Sequence, residues 1–187
     1  MTTATQSDLD RITGDFTIDP SHTRIGFQAR HAMVTKVRGH FGDIEGSFHL
    51  DPAHPENSSA NVTIQAKSID TGNADRDAHL RSNDFFAMDE FPEIKFVSTS
   101  AEPTGDNSFN LTGDLTIRGV TRPVTIPFEY NGVETDPWGN TRVGFEGATE
   151  VNRKDWGVNW NAALDSGGVL VSDKVKLEFD VSATKTA

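Results

Sequence analysis

The chain contains no cysteine, which excludes disulfides, thiolate nucleophiles and thiolate metal sites. It also lacks an apolar stretch long enough to span a bilayer, and no apolar run of signal-peptide length precedes Phe16. We therefore expect no integral membrane segment and a cytoplasmic location.

Basic residues are scarce relative to acidic ones: 17 Lys and Arg against 28 Asp and Glu give a formal net charge of -11. The carboxylates are spread along the chain and do not form a tail. Nucleic acid is not an expected partner, because phosphate binding needs a basic face. An anionic membrane would, on average, also repel the protein.

What is present is the composition of a folded globular protein, with 35% hydrophobic residues and 12 Phe among 187 residues. That length suits one domain with one core. No repeat, low-complexity tract or linker divides the chain. We expect a flexible polar leader over residues 1–10 and a single domain over residues 11–187.

Most of the chain alternates apolar and polar residues with a period of two, which indicates strands with one buried and one solvated face. The clearest run spans residues 109–117, and a second follows at 124–130. Arg118-Gly119-Val120-Thr121 between them is typical of a tight hairpin turn. We count about eight strands, which predicts an all-β fold: a single antiparallel barrel whose closure removes its sheet edges.

One segment breaks the strand pattern and predicts a short helix over about residues 74–82. Asn73 or Asp75 can cap its N-terminus, and Asp77 lies in the first turn, where the helix dipole favours a carboxylate. The residues expected to dock this helix on the barrel are Leu80, Phe85, Phe86 and Phe91.

The apolar faces of the strands supply a candidate binding lumen. Its predicted lining residues are Ile25, Phe27, Ile64, Leu115, Ile117, Ile126, Phe128, Phe145, Val171 and Leu177. A ligand there would be held by apolar area removed from water, about 25 cal/mol per Å² before ordering costs, so a long hydrocarbon chain is the natural candidate. The alternative is that these residues are ordinary core.

Small residues and two tryptophans also bear on whether the lumen holds a ligand or is ordinary core. Gly113, Gly147 and Ala66 either leave room for a guest or mark places where strands bend to close the barrel. Trp156 is a further candidate ligand contact, because Trp156 and Trp160 could form a rim at the barrel mouth. They could equally cover the barrel end as packing.

Two rival functions depend on histidines. His79 with Asp77 and Arg76 could act as an acid–base group, although we favour a helix whose charged groups pair with each other or with loop backbone. No nucleophile elbow, phosphate loop or H-E-x-x-H pattern is present. Ser21 and His22 are adjacent, and in a strand their side chains would lie on opposite faces.

A metal site is the second rival. Histidines recur every nine residues at His22, His31, His40 and His49. An odd interval reverses the side-chain face along a strand, so this spacing does not by itself bring the histidines together to bind a metal. We therefore expect no metal.

Five separated motifs resemble the YceI-like family, and they occur in the expected order over about residues 17–181. They are FTIDPSHTRIGF at 16–27, RDAHLRSNDFF at 76–86, FPEIKFVS at 91–98, GDLTIRGVTRPV at 113–124 and RKDWG at 153–157. The second motif contains the residues that we interpret as structural signature positions: Arg76, Asp77, His79, Leu80, Phe85 and Phe86.

This resemblance implies a lipocalin-like barrel that encloses a long isoprenoid, either a polyprenyl lipid or a quinone tail, without catalysis and without a required cofactor. Some relatives are associated with capture of lipophilic antibiotics, and many are exported. The absence of a signal peptide favours an intracellular binder here. The alternative is an enzyme or stress-response factor acting on such a lipid, with His79 and Arg76 at the polar end. A homodimer is left open.

Overall fold

The computed structural model describes residues 6–164, 166 and 168–186, and over this range the chain forms two α-helices and eleven strands. The helices are α1 (Gln6–Ile12) and α2 (Ala74–Arg81). The strands are β1 (Gly14–Ile18), β2 (Arg24–His31), β3 (Thr35–Phe41), β4 (Ile44–Leu50), β5 (Ser59–Gln65), β6 (Ile69–Asp70), β7 (Glu93–Pro103), β8 (Ser108–Ile117), β9 (Val120–Thr135), β10 (Thr141–Asn152) and β11 (Lys174–Lys185).

The strands close into an eight-stranded antiparallel barrel, which confirms the predicted fold. The ring runs β1-β4-β5-β7-β8-β9-β10-β11 and returns to β1. Residues 176–180 of β11 pair with β2, while residues 183–185 pair with β1. Consequently β1 and β2 are two pieces of one broken strand beside β11. The break is the short 3₁₀ helix Pro20–His22.

The β8–β9 hairpin shows how turn chemistry sets the register. Ile117 pairs with Val120 across Arg118 and Gly119, whose φ angles are 52° and 74°. Two successive positive φ angles define the mirror-image turn that matches the twist of a two-residue hairpin. The predicted hairpin is confirmed. The ring of Phe91 lies where a Cβ on Gly119 would stand, at 2.7 Å from Cε1.

Glycines in the barrel wall make room for aromatic rings. A Cβ on Gly113 would collide with the ring of Phe96, and one on Gly147 would lie 2.6 Å from Cδ1 of Phe128. Neither glycine borders the large internal cavity, and Ala66 does not border it either. The interpretation as open space for a guest is therefore wrong for Gly113 and Gly147, because neighbouring side chains occupy the space, while Ala66 is buried and does not border the cavity.

The N-terminal segment is ordered into helix from Gln6, so the polar leader predicted over residues 1–10 is helical in its second half. Leu9 and Ile12 pack against the barrel core, and Ile12 is buried. Residues 1–5 lie outside the described residues. Neither α1 nor α2, the helices of the described chain, is long and apolar enough to cross a membrane.

Candidate ligand-binding cavity

A cavity of about 560 Å³ occupies the barrel interior. All eleven residues predicted to contact a ligand border it, which brings together Ile25, Phe27, Ile64, Leu115, Ile117, Ile126, Phe128, Phe145, Trp156, Val171 and Leu177. The volume lies within the usual range of small-molecule sites, about 300–1,000 Å³. The lumen is therefore partly hollow and is not filled by its own side chains.

The cavity extends along the barrel axis. Phe109 and Ile117, at opposite ends of β8, both border it. Eight residues of a strand tilted by about 40° span about 20 Å along the barrel axis. Such a channel suits an extended chain better than a compact ring system.

One end of the barrel, which we call the mouth, is formed by residues 51–59 and 103–108. Among the described residues that border the cavity, the exposed ones all belong to it: Ser59, Pro103, Gly105 and Asp106. The antiparallel register places the start of β5 and the end of β7 at this same end. The cavity therefore opens to solvent at the mouth.

The mouth carries negative charge. Asp51 accepts hydrogen bonds from Nδ2 of Asn57 at 3.3 Å and from the backbone N–H of His54 at 3.2 Å. The Asn57 amide, with help from His54, holds the pKa of Asp51 below its ordinary value against the opposing effect of desolvation. Asp106 borders the cavity nearby. At neutral pH a ligand entering here passes carboxylates.

The opposite end, which we call the closed end, is formed by α2, the β8–β9 turn and residues 153–164 and 168–173. Its central residue is Arg153, whose side chain is only 6% exposed. The guanidinium donates to four backbone carbonyls, those of Val158 (2.7 Å), Ser172 (2.9 Å), Trp160 (2.9 Å) and Val171 (3.3 Å). Burial lowers the pKa of Arg153, while the charge of Asp173 opposes that shift.

Two more arginines of the closed end also donate side-chain hydrogen bonds to backbone carbonyls. Arg118 donates to the carbonyl of Phe85 at 3.1 Å, and Arg122 donates to that of Asp155 at 3.2 Å. Carbonyls of an irregular segment have no ladder partner, and a buried one without a donor is costly. The arginines therefore satisfy the backbone that seals the barrel. Sequence reasoning missed this role, although Arg118 and Arg153 lie inside quoted family motifs.

Trp156 lies in the barrel wall and not at a half-wet rim. It is 2% exposed, and its Nε1–H donates to the carbonyl of Leu115 at 2.8 Å. The rim interpretation is therefore wrong for Trp156, since it covers the closed end as packing while still bordering the cavity. Trp160 is half-buried, and its ring contacts the rings of His79 and Phe85 edgewise or tilted.

Helix α2 covers the closed end much as predicted. Asn73 caps it by accepting from the N–H of Arg76 at 2.9 Å. Asp77 is buried and accepts from the N–H of Thr71, and the Arg76 side chain donates to Thr71 Oγ1 and to its carbonyl, both at 2.7 Å. Arg81 donates to the carbonyl of Lys67 at 2.9 Å. These charged groups fasten the helix to the preceding segment.

The acid–base grouping considered for His79 is not formed. Its Nε2 lies 2.8 Å from Oδ2 of Asp84, whereas Asp77 and Arg76 both bind Thr71. Leu80, Phe85 and Phe86 border the cavity, but His79 is absent from its described lining. These polar side chains of α2 therefore bond to neighbouring protein segments and do not face the lumen.

Ser21 and His22 are in contact, contrary to expectation, because they lie in the 3₁₀ helix Pro20–His22 and not in a strand. Ser21 Oγ donates to Asp19 at 2.7 Å and lies 3.0 Å from His22 Nδ1. Arg142 also donates to Asp19, and these hydrogen bonds, that from Ser21 foremost, lower the pKa of Asp19. His22 is exposed and this group does not border the cavity.

The evenly spaced histidines do not converge. His22 is paired with Asp19 and His49 with Asp15, at 2.9 and 2.7 Å. Within the part of the chain that the structure describes, no three His, Asp or Glu side chains are placed to share a metal ion.

A closed antiparallel barrel with an apolar channel, one sealed end and one open end defines a lipocalin-like architecture. The YceI-like domain matches residues 16–183 of this sequence, and the chain belongs to that family. A UPF0312 protein of Pseudomonas syringae pv. syringae is 39% identical over 158 residues, covering 83% of this chain and 82% of its own. A UPF0312 protein of Shewanella denitrificans is 40% identical over 173 residues, covering 91% and 87%.

Solved structures share the fold. BcnA of Burkholderia cenocepacia superposes with a TM-score of 0.79 at 26% identity, covering 89% of this chain and 99% of its own. The YceI protein of Campylobacter jejuni gives 0.73 at 28%, covering 84% and 90%. A polyisoprenoid binding domain from Saccharophagus degradans, implicated in plant cell wall breakdown, gives 0.70 at 12%, covering 91% and 98%, a similarity of fold alone.

Proposed function

We propose that this protein binds one long isoprenoid lipid, a polyprenyl lipid or the tail of a quinone, in the barrel channel and does so without catalysis. The observation that carries the proposal is the cavity itself, about 560 Å³, bordered by the ten apolar residues that the strand pattern predicts and by Trp156. The driving force is apolar area removed from water, since the interior offers few polar partners.

The shape of the channel favours a chain. A guest about 20 Å long matches a linear hydrocarbon chain. Aromatic rings recur along the walls, with Phe109 stacked on Phe128 at 5.7 Å and Phe27 tilted against Phe41 at 5.8 Å. Flat rings of this kind pack well against the planar double bonds of an isoprenoid.

The position of the polar groups supports a binding role over a catalytic one. Arg153 borders the cavity, but its guanidinium donates to backbone carbonyls. His79, the acid–base candidate, is paired with Asp84 and does not border the described cavity. A polar head group would then remain at the mouth, beside Asp51 and Asp106. The polyisoprenoid binding domain from Saccharophagus degradans, which has this fold, supports the same ligand class.

The proposal is tested by extracting the protein, purified gently from its host without added lipid, and analysing the extract by mass spectrometry. We expect about one isoprenoid per protein molecule. Ala101 is half-buried and borders the channel near the mouth, so Ala101→Trp should block it and remove the lipid. Ser100→Trp, on the neighbouring exposed position, is the matched control and should retain it.

Circular dichroism shows whether both variants are folded. A folded Ala101→Trp protein that still carries the isoprenoid would show that the ligand binds elsewhere. A host-purified wild-type protein with no extractable lipid would contradict the proposed function.

A further inference from the structure

The β2–β3 hairpin stands out as a local reversal of charge. No Asp or Glu occurs between Asp19 and Asp43, while the chain as a whole carries a formal net charge of -11. Within this stretch Arg30, Lys36 and Arg38 are exposed. Together with the turn residues Met33 and Val34, we call these five side chains the hairpin tip.

The three cations share the outer face of the hairpin. Arg30 lies directly opposite Lys36, and Arg38 lies opposite Gln28, whose Oε1 accepts from Arg38 Nε at 3.0 Å. Like charges directly opposite each other destabilise a strand pair. Among the described residues no carboxylate forms an ion pair with any of the three cations. Within the described residues, therefore, no ion pair neutralises these three cations.

The end of the hairpin is apolar and exposed. Val34 is 74% exposed and Met33 is 61% exposed, and Val169, on the adjacent segment, is 40% exposed. Met33 packs its sulfur beside Gly168, which joins the hairpin to that segment. The sequence of the adjacent segment 157–172 contains one carboxylate, Asp165, which lies outside the described residues. Large aliphatic side chains held in water beside cations have no role in the barrel core.

We propose that the hairpin tip docks the protein on an anionic phospholipid bilayer. Aliphatic side chains at the turn enter the interfacial region, and cations behind them meet lipid phosphates, the combination by which basic, apolar-faced segments bind such surfaces. A nucleic acid would complement the cations but not the aliphatic turn. The surrounding acidic protein does not prevent docking at moderate ionic strength, because charges beyond about 10 Å are screened at 0.1 M salt.

Docking by the hairpin tip is independent of the cavity. The tip lies at the closed end, where β2 ends beside the start of β11, and the mouth is at the other end of the barrel. A docked protein therefore presents its mouth away from the bilayer. Ala101→Trp, which should empty the channel, should dock as well as the wild type, so failure of this inference and failure of the proposed function are distinguishable.

The test is sedimentation of the full chain with vesicles of phosphatidylcholine, alone or with about one third phosphatidylglycerol, at about 0.1 M salt. We expect binding to the anionic vesicles only. Each cation near such a surface contributes about fivefold, so Arg30→Gln/Lys36→Gln/Arg38→Gln should weaken binding about 100-fold. Val34→Ser should weaken it about fivefold by removing inserted apolar area.

The matched control is Lys67→Gln/Lys95→Gln/Lys185→Gln, which removes the same charge from lysines away from the turn: Lys95 lies on β7, Lys185 at the end of β11 that pairs with β1, and Lys67 just before β6, which pairs with residues 40–41 of β3. It should bind anionic vesicles like the wild type. Equal weakening of both triple variants, no binding of the wild type, or binding unaffected by Val34→Ser would overturn the proposal. So would equally tight binding to a short DNA duplex, since that would identify a general polyanion site.

Discussion

The two ends of the barrel are built differently. At the closed end, long cationic side chains donate to main-chain carbonyls, as Arg153 does to four of them. At the mouth, the polar groups are short carboxylates, serines and an asparagine on exposed loops, and Asp51 accepts from near neighbours in sequence. The closed end therefore includes side-chain hydrogen bonds between segments distant in sequence, such as Arg118 to Phe85, whereas those of Asp51 stay within its own loop. We therefore interpret the closed end as a structural seal and the mouth as the entrance to the cavity.

The largest expected effect comes from breaking the seal. Arg153→Ala removes the donor for four carbonyls, of which the buried ones lose a partner, so we expect a loss of about 3 kcal/mol or more in the free energy of unfolding. Urea unfolding followed by fluorescence measures it. The neighbouring exposed Lys154 provides the control, since Lys154→Ala should cost under about 1 kcal/mol. Similar losses in both variants would show that the hydrogen bonds of Arg153 do not hold the end.

A smaller effect is expected from Trp156→Phe. This change removes the donor to Leu115 and part of a fully buried ring, so unfolding should become easier by about 2 kcal/mol. Trp138, in the β9–β10 turn, is 80% exposed, and Trp138→Phe should change stability by less than about 0.5 kcal/mol. Thermal unfolding of Trp156→Phe and Trp138→Phe measures the difference in stability. Indistinguishable unfolding midpoints for the two variants would mean that the closed end is not packed around Trp156.

Hydrogen exchange compares the two ends without mutation. The amides of Val158 and Arg153 donate to Arg153 and Asp173 carbonyls within the closed end, and they should exchange slowly. The amides of His54 and Asn57 donate inside an exposed loop of the mouth and should exchange faster, by about tenfold or more. Mass spectrometry of peptides from each segment measures this. Equal protection would contradict a rigid seal opposite a more open entrance.

The smallest expected effect concerns acid. The pKa of Asp51 is lowered in the folded protein, so its hydrogen bonds stabilise the fold above the unfolded pKa near 3.8 and that contribution is lost as the pH falls below it. Asp51→Asn should therefore be slightly less stable than wild type at pH 7, with the difference shrinking in acid. The effect of Arg153→Ala should persist over the same range, because its donors stay protonated. A pH-independent difference for Asp51→Asn would contradict the assignment.

The lining of the lumen could be predicted because strand geometry has a period of two. Once Leu115 and Ile117 face inward, their neighbours must face out, and the same logic places Ile126 and Phe128. The helix was predictable from its cap, Asn73, and its first-turn carboxylates.

The seal could not be predicted, because its hydrogen bonds go to backbone carbonyls. Any residue can supply a carbonyl, so the partners of Arg118 or Arg153 depend on the path of the chain and leave no mark in residue type. The hydrogen bond of Trp156 could not be predicted for the same reason, because its acceptor is the backbone carbonyl of Leu115. The contact between Ser21 and His22 could not be predicted from a strand pattern, because adjacent residues of a strand face opposite sides, whereas Pro20 begins a 3₁₀ turn here.

The central claim is that the channel holds one isoprenoid chain that enters at the mouth. Its most direct test is a crystal structure of the protein purified from its host without added lipid. The account predicts continuous tubular density from the region of Asp51 and Asp106 toward Trp156, with any polar head group at the mouth. A channel filled with ordered water, or a ligand whose polar end lies against Arg153, would contradict it.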